Sequence, residues 1–235
     1  SSVTGVQTCA LPISPVTVTT TGWEDVAGLY VSHLEVDGRG TDTTFTTADP
    51  VFTWRGNFPD TSWEPASEPA AGAGRVDPRF RDYVVRIYDE ATKTLLRTEY
   101  TTTPRFQYFL QMNRADSARL GSTAARRRIR IVVSIRDTLW RESKAATLDV
   151  YNPPLPEPQD LSVNGAVGAI HVTFALPDAS DFAGTCIWRG DKPGFPTDRS
   201  HLVAEGRDSA YVIPADPNLG YYVRVAHHDS FGGDE

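Results

Sequence analysis

The 235-residue sequence is poor in cysteine, with only Cys9 and Cys186. Two cysteines do not make the disulfide framework of small secreted domains, so a hydrophobic core must hold the fold together. This content is typical of a protein that folds in a reducing cytoplasm, and it does not exclude export. Because no histidine partner is evident, Cys186 is predicted to be a small apolar residue on a strand and not a nucleophile.

Long apolar runs and an excess of basic charge are also missing. No run approaches the roughly 18 residues that a membrane helix needs, so we expect no membrane insertion. The formal net charge is −7, which disfavours nonspecific binding to nucleic acid as the main activity. The basic triplet Arg126–Arg128 has acidic residues around it, and it is predicted to be a solvated end of a loop instead of a phosphate site.

Motifs that would identify an enzyme are absent from the sequence. It has no glycine-rich phosphate loop and no Gly-x-Ser-x-Gly elbow, and its acidic residues show no pairing typical of a glycosidase. His227 and His228 are neighbours. On a strand their side chains would point to opposite faces, so they are not expected to share a metal ion. We therefore expect no catalytic residue, no cofactor and no metal.

The sequence has many turn-forming residues and short apolar alternations instead. It contains 17 prolines and 18 glycines. In Ile129–Asp137 every second residue from Ile129 to Ile135 is apolar, and the stretch ends in an aspartate, which predicts a half-buried strand. The pattern returns about ninety residues later in Tyr221–Asp229, and such a repeat indicates two tandem modules of one kind.

The same alternation predicts the remaining strands. In the first part of the chain these are Leu29–Val36, Pro50–Arg55, Phe80–Tyr88, Leu95–Tyr100, Phe106–Leu110 and Ser143–Val150. In the second part they are Leu161–Val163, Ile170–Phe174, Thr185–Arg189, Leu202–Ala204 and Ala210–Ile213. The polar stretch Asn113–Ala125 is predicted to be a connection. The core markers are Trp54, Ile131, Val133, Phe174, Tyr221, Val223 and Val225.

Proline places the expected boundary between the modules. Four of the six residues in 153–158 are prolines, which cannot donate to a sheet and favour a semi-rigid polyproline II spacer. The sequence thus predicts an extended lead-in at 15–27, a first module at 28–152, a linker at 153–158 and a second module at 159–235. Because no seventh strand appears before Glu235, we expect the second module to be truncated at its C-terminal side.

Two further segments stand apart from the strands. Residues 1–14 lack the positive and apolar regions of a signal peptide; they resemble a translated sequencing adapter, and the alternative is a native flexible arm. The connection Gly56–Pro78 is long and rich in breakers, and such connections are usually functional or mobile. Phe58, Trp63 and Glu64 are its candidate partner-contact residues, and the alternative is that the aromatic ones cover the end of a sandwich.

The short strands, the proline-rich boundary, a tryptophan on the second strand and a Tyr-x-Val-x-Val strand followed by Asp and Gly resemble tandem fibronectin type III modules. The resemblance implies an all-β chain of two immunoglobulin-like β-sandwiches. It gives Tyr221 the tyrosine-corner position, Val223 and Val225 core positions, and Trp54 the place of the second-strand indole. Two positions depart from the pattern, Ile129 in place of the tyrosine and Phe174 in place of the tryptophan.

A narrower resemblance rests on the order and spacing of several runs, which are similar to modules of the tailed-phage host specificity proteins, the protein J family. The runs are Leu34–Arg55, Phe80–Ile87, Arg136–Thr138, Tyr151–Pro154 and Ala226–Gly232. This resemblance implies a structural and adhesion segment of the virion tail tip, made in the host cytoplasm. It also implies a homo-oligomeric parent protein, with other tail-tip proteins and a host surface receptor as partners. The alternative is an accessory fibronectin pair of a bacterial extracellular carbohydrate-active enzyme or adhesin.

Overall fold

A computed structural model describes residues 28–58 and 77–232 of the chain. The predictions for residues 1–14, for the lead-in at 15–27 and for Trp63 and Glu64 fall outside the described residues. Within those ranges the regular secondary structure is almost all β-strand, with one short helix, which confirms the predicted all-β class. No helix in the described ranges has the length and hydropathy needed to cross a membrane.

The first part of the chain forms seven strands and one helix among the described residues. They are β1 Tyr30–Val36, β2 Val51–Asn57, β3 Phe80–Asp89, β4 Leu95–Thr101, β5 Arg105–Gln107, α1 Leu110–Arg119, β6 Arg128–Asp137 and β7 Ala146–Tyr151. Strands β1, β2 and β5 form one sheet, and the other sheet has the order β4-β3-β6-β7. All pairings between these strands are antiparallel, and the two sheets enclose the larger of the two hydrophobic cores.

Strand β6 fixes the centre of this first sandwich. Its four isoleucine and valine residues from Ile129 to Ile135 at period two are fully buried, as alternation along a half-buried strand requires. Ile131 lies opposite Ile87 of β3, and Val133 lies opposite Val85. These cross-strand apolar pairs join the two central strands of the sheet, and they form the unit by which sheets are stabilised.

Trp54 of β2 fills the space between the sheets. It is 5% exposed, and its ring meets the ring of Tyr83 nearly edge-on at 5.4 Å between centroids. The Tyr83 hydroxyl in turn lies over Gly56, where an added Cβ would be only 2.2 Å from the hydroxyl oxygen. The glycine is therefore required by this close approach and not by the strand itself. Burial raises the pKa of Tyr83.

The helix α1 corrects two predictions. The strand predicted at Phe106–Leu110 ends at Gln107, and the predicted connection Asn113–Ala125 contains most of the helix. Its buried side chains are polar: Asn113, Asp116 and Ser117. Asp116 accepts hydrogen bonds from Arg97 of β4 at 2.8 Å and from the Tyr108 hydroxyl at 2.9 Å. Because the inner face of the helix is held by polar contacts, it has no apolar stripe from which periodicity could identify it.

The second part of the chain forms six strands among the described residues. They are β8 Gln159–Ala166, β9 Ala169–Ala175, β10 Phe182–Gly190, β11 Leu202–Gly206, β12 Ala210–Pro214 and β13 Tyr222–Asp229. One sheet has the order β8-β9-β12 and the other β11-β10-β13. Counted from the start of each part, the first, second and fifth strands form one sheet, and the third, fourth and sixth strands belong to the other in both parts. Strand β13 therefore corresponds to β6, as the sequence repeat predicted.

The core of the second sandwich is smaller. It is formed by Ile170, Val172, Phe174, Ile187 and Ile213, with Tyr221, Val223 and Val225 only half-buried around it. The Tyr221 hydroxyl accepts a hydrogen bond from the backbone N–H of Asp216 at 3.2 Å. This bond, from a tyrosine at the start of the sixth strand to the backbone a few residues upstream, is the geometry of a tyrosine corner.

Candidate functional site: the junction of the two sandwiches

The densest group of buried polar residues joins the two sandwiches. A ring from the second part of the chain enters the first core at this point: Phe231, which follows β13, is 1% exposed and belongs to the first hydrophobic cluster. Its centroid lies 6.0 Å from that of Phe45. The Phe231 carbonyl accepts a hydrogen bond from the Ala125 N–H at 3.4 Å. Residues far apart in the sequence thus share one apolar core.

Asp229, the last residue of β13, holds this ring in place. Its Oδ1 accepts a hydrogen bond from the Phe231 N–H at 2.9 Å, which closes a turn of the Asx type. Both carboxylate oxygens also receive the guanidinium of Arg127, at 2.8 and 3.0 Å. The side chains of Arg127 and Asp229 are 12% and 3% exposed. A bidentate pair of this kind is both strong and geometrically specific.

Asn152 connects this pair to a second contact. It is fully buried just before the proline-rich segment. Its Oδ1 accepts from Arg127 at 2.8 Å, and its Nδ2 donates to the Phe45 carbonyl at 3.0 Å and to Asp181 Oδ2 at 2.7 Å. One amide therefore joins the strand ends of the first sandwich to the loop between β9 and β10 of the second.

Backbone hydrogen bonds complete the contact. The Asp181 N–H and the Ser180 hydroxyl both donate to the Thr46 carbonyl, at 3.1 and 3.0 Å. The Ser230 N–H donates to the Asp181 carbonyl at 2.9 Å, and Arg114 of the helix donates to the Ser230 carbonyl. The loop that contains Thr46, between β1 and β2, thus contacts the loop that contains Asp181, between β9 and β10. Because backbone atoms on both sides take part, the relative position of these two loops does not depend on side chains alone.

The charges at the junction are unequal. Two carboxylates, Asp181 and Asp229, lie near one guanidinium, Arg127. Burial raises the pKa of Asp181, the charge of Asp229 raises it further, and the hydrogen bond from Asn152 opposes both. Asp181 Oδ1 has no hydrogen-bond partner among the described residues. The ionised form of Asp181 is therefore disfavoured at this place, while Asp229 is satisfied by both its arginine and its turn.

The basic triplet Arg126–Arg128 was predicted to be a solvated loop end; that prediction is wrong for Arg126 and Arg127, whereas Arg128 is exposed. Arg126 forms an ion pair with Asp89 at 3.2 Å, Arg127 takes the central place at the junction, and Arg128 lies 4.0 Å above the ring of Tyr151. The acidic partner of Arg127 is about a hundred residues away along the chain, so local charge counting could not identify it. The one local sign of this junction in the sequence is Asp229, which is followed two residues later by the aromatic Phe231.

The candidate contact residue Phe58 belongs to the core. It is 8% exposed, and its ring meets Phe80 edge-on at 5.9 Å. This burial makes it unavailable as a partner-contact residue, and it corresponds to the alternative in which an aromatic side chain covers the end of the sandwich. Trp63 and Glu64 lie outside the described residues.

Comparisons with known proteins give likenesses of fold only. No protein-family model matches the chain, and no curated protein matches its sequence. A segment of two fibronectin type III domains from chicken tenascin aligns with 87% of this chain and 93% of its own length, at 14% identity and a TM-score of 0.35.

Two longer structures align in a similar way. The FN1–FN3 domains of chicken CNTN1 align with 88% of this chain at 14% identity and a TM-score of 0.31, and a run of titin domains with 87% at 12% and 0.30. This chain spans 64% and 62% of those two structures, less than two thirds of each. By its own strand order, the chain consists of two tandem fibronectin type III-like β-sandwiches.

Proposed function

We propose that this chain is a non-catalytic structural and adhesion segment of a tailed-phage tail-tip protein, in which two coupled sandwiches hold loops for assembly and host attachment. The observation that carries the proposal is the junction. A shared apolar core, a buried bidentate ion pair and backbone hydrogen bonds couple the modules. Flexible tethering is the default for neighbouring domains unless a substantial interface restrains them, and a restrained pair can hold its loops in a fixed relative position.

The sequence runs that resemble phage host specificity proteins support the same proposal. Three of them meet at the junction. Leu34–Arg55 supplies Phe45 and Thr46, Tyr151–Pro154 supplies Asn152, and Ala226–Gly232 supplies Asp229 and Phe231. These three runs are far apart in the sequence, and they all contribute to one contact. The shared contact is a physical reason for finding the three runs in the same chain.

The proposed partners are other tail-tip proteins and a host surface receptor, with a homo-oligomeric parent protein located in the virion. The proposed contact segment is the part of the predicted connection Gly56–Pro78 that contains Trp63 and Glu64, since long loops on a rigid scaffold commonly carry binding residues. Gly56 and Asn57 do not belong to it, because they lie in β2. Phe58 no longer belongs to this proposal, because it is buried.

A phage-adsorption assay tests the contact segment. Deleting 67–74 or introducing Trp63→Ala is expected to leave the melting temperature of the purified chain unchanged and to lower virion assembly or host adsorption. The matched control is Leu219→Ala, an exposed apolar residue of the second sandwich that should change neither readout. Normal assembly and adsorption in both variants would reject the contact segment.

The parent reading frame tests the tail-tip assignment itself. A very long reading frame beside other tail genes is the expected result. An export signal together with a glycosidase or cell-wall domain in the same frame would overturn the assignment and support the accessory fibronectin pair.

A further inference from the structure

A second cluster of interest lies on the outer face of the sheet β11-β10-β13. Cys186 of β10 lies opposite Glu205 of β11, and Gly184, two residues earlier, lies opposite His228 of β13. Because side chains alternate along a strand, these positions share one face of the sheet. The intervening Thr185 is fully buried on the other face. Register alone therefore brings a thiol, a carboxylate and an imidazole together.

Their donor atoms are close enough to share a metal ion. One ligand atom each from Cys186, Glu205 and His228 lies within 4.8 Å of the other two. His228 Nε2 and Glu205 Oε1 are 3.4 Å apart. Tetrahedral zinc with ordinary bond lengths needs ligand separations of roughly 3.4–3.6 Å. The imidazole and carboxylate already have this spacing, and the thiol lies within 4.8 Å of both.

The histidine nitrogen is directed at the carboxylate. Among the described residues His228 Nε2 makes no hydrogen bond of good geometry, and it lies 3.4 Å from Glu205 Oε1. It faces the strand at Gly184, where an added Cβ would lie 2.9 Å from the nitrogen. With no hydrogen bond to break, the nitrogen can bind an ion together with the carboxylate. The glycine provides the space that the imidazole occupies.

The neighbouring histidine shows what a structural histidine looks like in this sandwich. His227 points to the inner face, where its Nδ1 lies 2.8 Å from the Thr185 hydroxyl and its ring meets Phe174 edge-on. Burial lowers the pKa of His227. The two histidines thus lie on opposite faces, as the sequence predicted. The sequence led us to expect no metal at all; that expectation weighed the histidine pair and did not consider a set made with Cys186.

We propose that Cys186, Glu205 and His228 form a zinc-binding site with three protein ligands and a fourth position open to water. A thiolate and an imidazole favour zinc over magnesium or calcium, which prefer oxygen ligands. A thiolate and a carboxylate together balance the charge of Zn²⁺. One ligand comes from each of the three strands, so a bound ion joins the whole sheet.

Binding includes one proton step. The Cys186 thiol loses its proton to solvent as the sulfur–zinc bond forms, and the neutral imidazole binds through the lone pair of Nε2. Burial and the nearby charge of Glu205 raise the pKa of Cys186. Because binding releases this proton, zinc affinity should rise with pH.

Cobalt titration of the reduced full chain tests the site. Co²⁺ replaces zinc in such sites and gives a thiolate-to-metal charge-transfer band. The expected result is saturation at one ion per chain, displacement by Zn²⁺, and loss of the band in Cys186→Ser. Glu205→Gln and His228→Gln should each weaken zinc binding by about tenfold or more, since three ligands leave little reserve.

The controls separate this site from other thiols and imidazoles. Cys9→Ser and His201→Gln should bind cobalt and zinc as the parent chain does. Melting temperatures without metal establish that each variant folds, and Glu205→Gln at an exposed position provides a test should Cys186→Ser prove unstable. Absence of the charge-transfer band in the parent chain, or unchanged affinity in Glu205→Gln and His228→Gln, would overturn the site. Either result leaves the proposed tail-tip function untouched, because the two rest on different observations.

Discussion

The ends of β6 and β13 are corresponding places with different surroundings. Each strand ends in an aspartate whose Oδ1 accepts a hydrogen bond from the N–H two residues later: Leu139 after Asp137, and Phe231 after Asp229, both at 2.9 Å. The following side chains differ entirely in exposure. Leu139 is 69% exposed and Phe231 is 1% exposed. The same turn chemistry presents one side chain to solvent and inserts the other into the neighbouring sandwich.

The arginine partners of the two aspartates differ in the same way. Asp137 pairs with Arg141 of its own turn, which is 53% exposed. Asp229 pairs with Arg127 of the other sandwich, which is 12% exposed. Both carboxylates are buried, with side chains 2% and 3% exposed, so the pairs differ in their arginines. An arginine that stays largely in water contributes less to such a pair than one that is itself buried. The comparison shows that the same turn motif joins two modules only where a second module covers its arginine and the side chain that follows.

The sandwiches also differ in how much apolar surface they bury. The inward residues of β6 are fully buried, whereas Val223 and Val225 of β13 are half-buried and β8 is exposed along its length. Hydrophobic stabilisation scales with the apolar area removed from water. The second sandwich should therefore depend on the junction more than the first does.

The largest effect is expected from removing the inserted ring. Phe231→Ala should lower the free energy of unfolding by about 3 kcal/mol, because it leaves a cavity at the end of the first core. It should also separate the unfolding of the two sandwiches into two transitions. Urea unfolding followed by tryptophan fluorescence measures both, since Trp54 and Trp188 lie in different sandwiches.

Leu139→Ala is the matched control for that ring, at the corresponding position of the other turn. It should change the free energy of unfolding by no more than about 0.5 kcal/mol, as exposed substitutions usually do. Equal effects of the two substitutions would show that the turns are equivalent and that the ring does not join the modules.

A smaller loss is expected from Arg127→Met. The substitution leaves Asp229 buried beside Asp181 without a cation, and we expect a loss of about 2–3 kcal/mol, at the lower end for a buried pair because Arg127 keeps some exposure. Arg141→Met, at the corresponding pair, should cost less, about 1 kcal/mol, because Arg141 is 53% exposed and Asp137 keeps its hydrogen bonds from the backbone of its turn. Chemical denaturation of both variants at neutral pH makes the comparison, and a larger loss at Arg141 would contradict it.

The smallest effect concerns pH. The folded-state pKa of Asp181 lies above 3.8, so its ionisation opposes folding. This cost is absent below pH 3.8, appears as pH rises through the folded pKa, and is complete at neutral pH. Asp181→Asn removes the charge while its side-chain oxygen can still accept from Asn152. Its melting temperature should therefore exceed that of the parent chain at pH 7.

The same difference in melting temperature should close as the pH falls below 3.8. Other carboxylates, such as Asp137 and Asp149, have lowered pKa values because arginine and backbone donors favour their ionised forms. Their contribution to stability is lost at acidic pH in both proteins alike, so it cancels in the difference. A gap that stayed constant from pH 3.5 to 7 would show that the charge of Asp181 costs nothing.

Much of the fold could be predicted from alternation. The strand Ile129–Asp137 was located to within a residue because one of its faces is buried and apolar. The helix was missed because its inner face is polar and its partners, Arg97 and Tyr108, precede it in the chain. The strand predicted at Phe106–Leu110 was too long for the same reason, since Phe109 is the N-cap residue of the helix and Leu110 is its first residue.

The junction could not be predicted in this way. Arg127 and Asp229 are each ordinary charged residues in their local contexts, and only the return of β13 to the first sandwich makes them a buried pair. The same holds for Cys186, Glu205 and His228, which come from three strands and meet through register. Residue spacing along one strand contains no information about register with another.

The sequence by itself determined the class of fold, the repeat of the sixth strand and the capping aspartate at its end, because these depend on side-chain periodicity and on bonds spanning two residues. Only the tertiary structure decided which of the two aspartates pairs with the other module, which ring leaves solvent and which arginine joins the modules. Those outcomes depend on long-range burial, which turns the same hydrogen bonds and charges from minor surface features into determinants of stability.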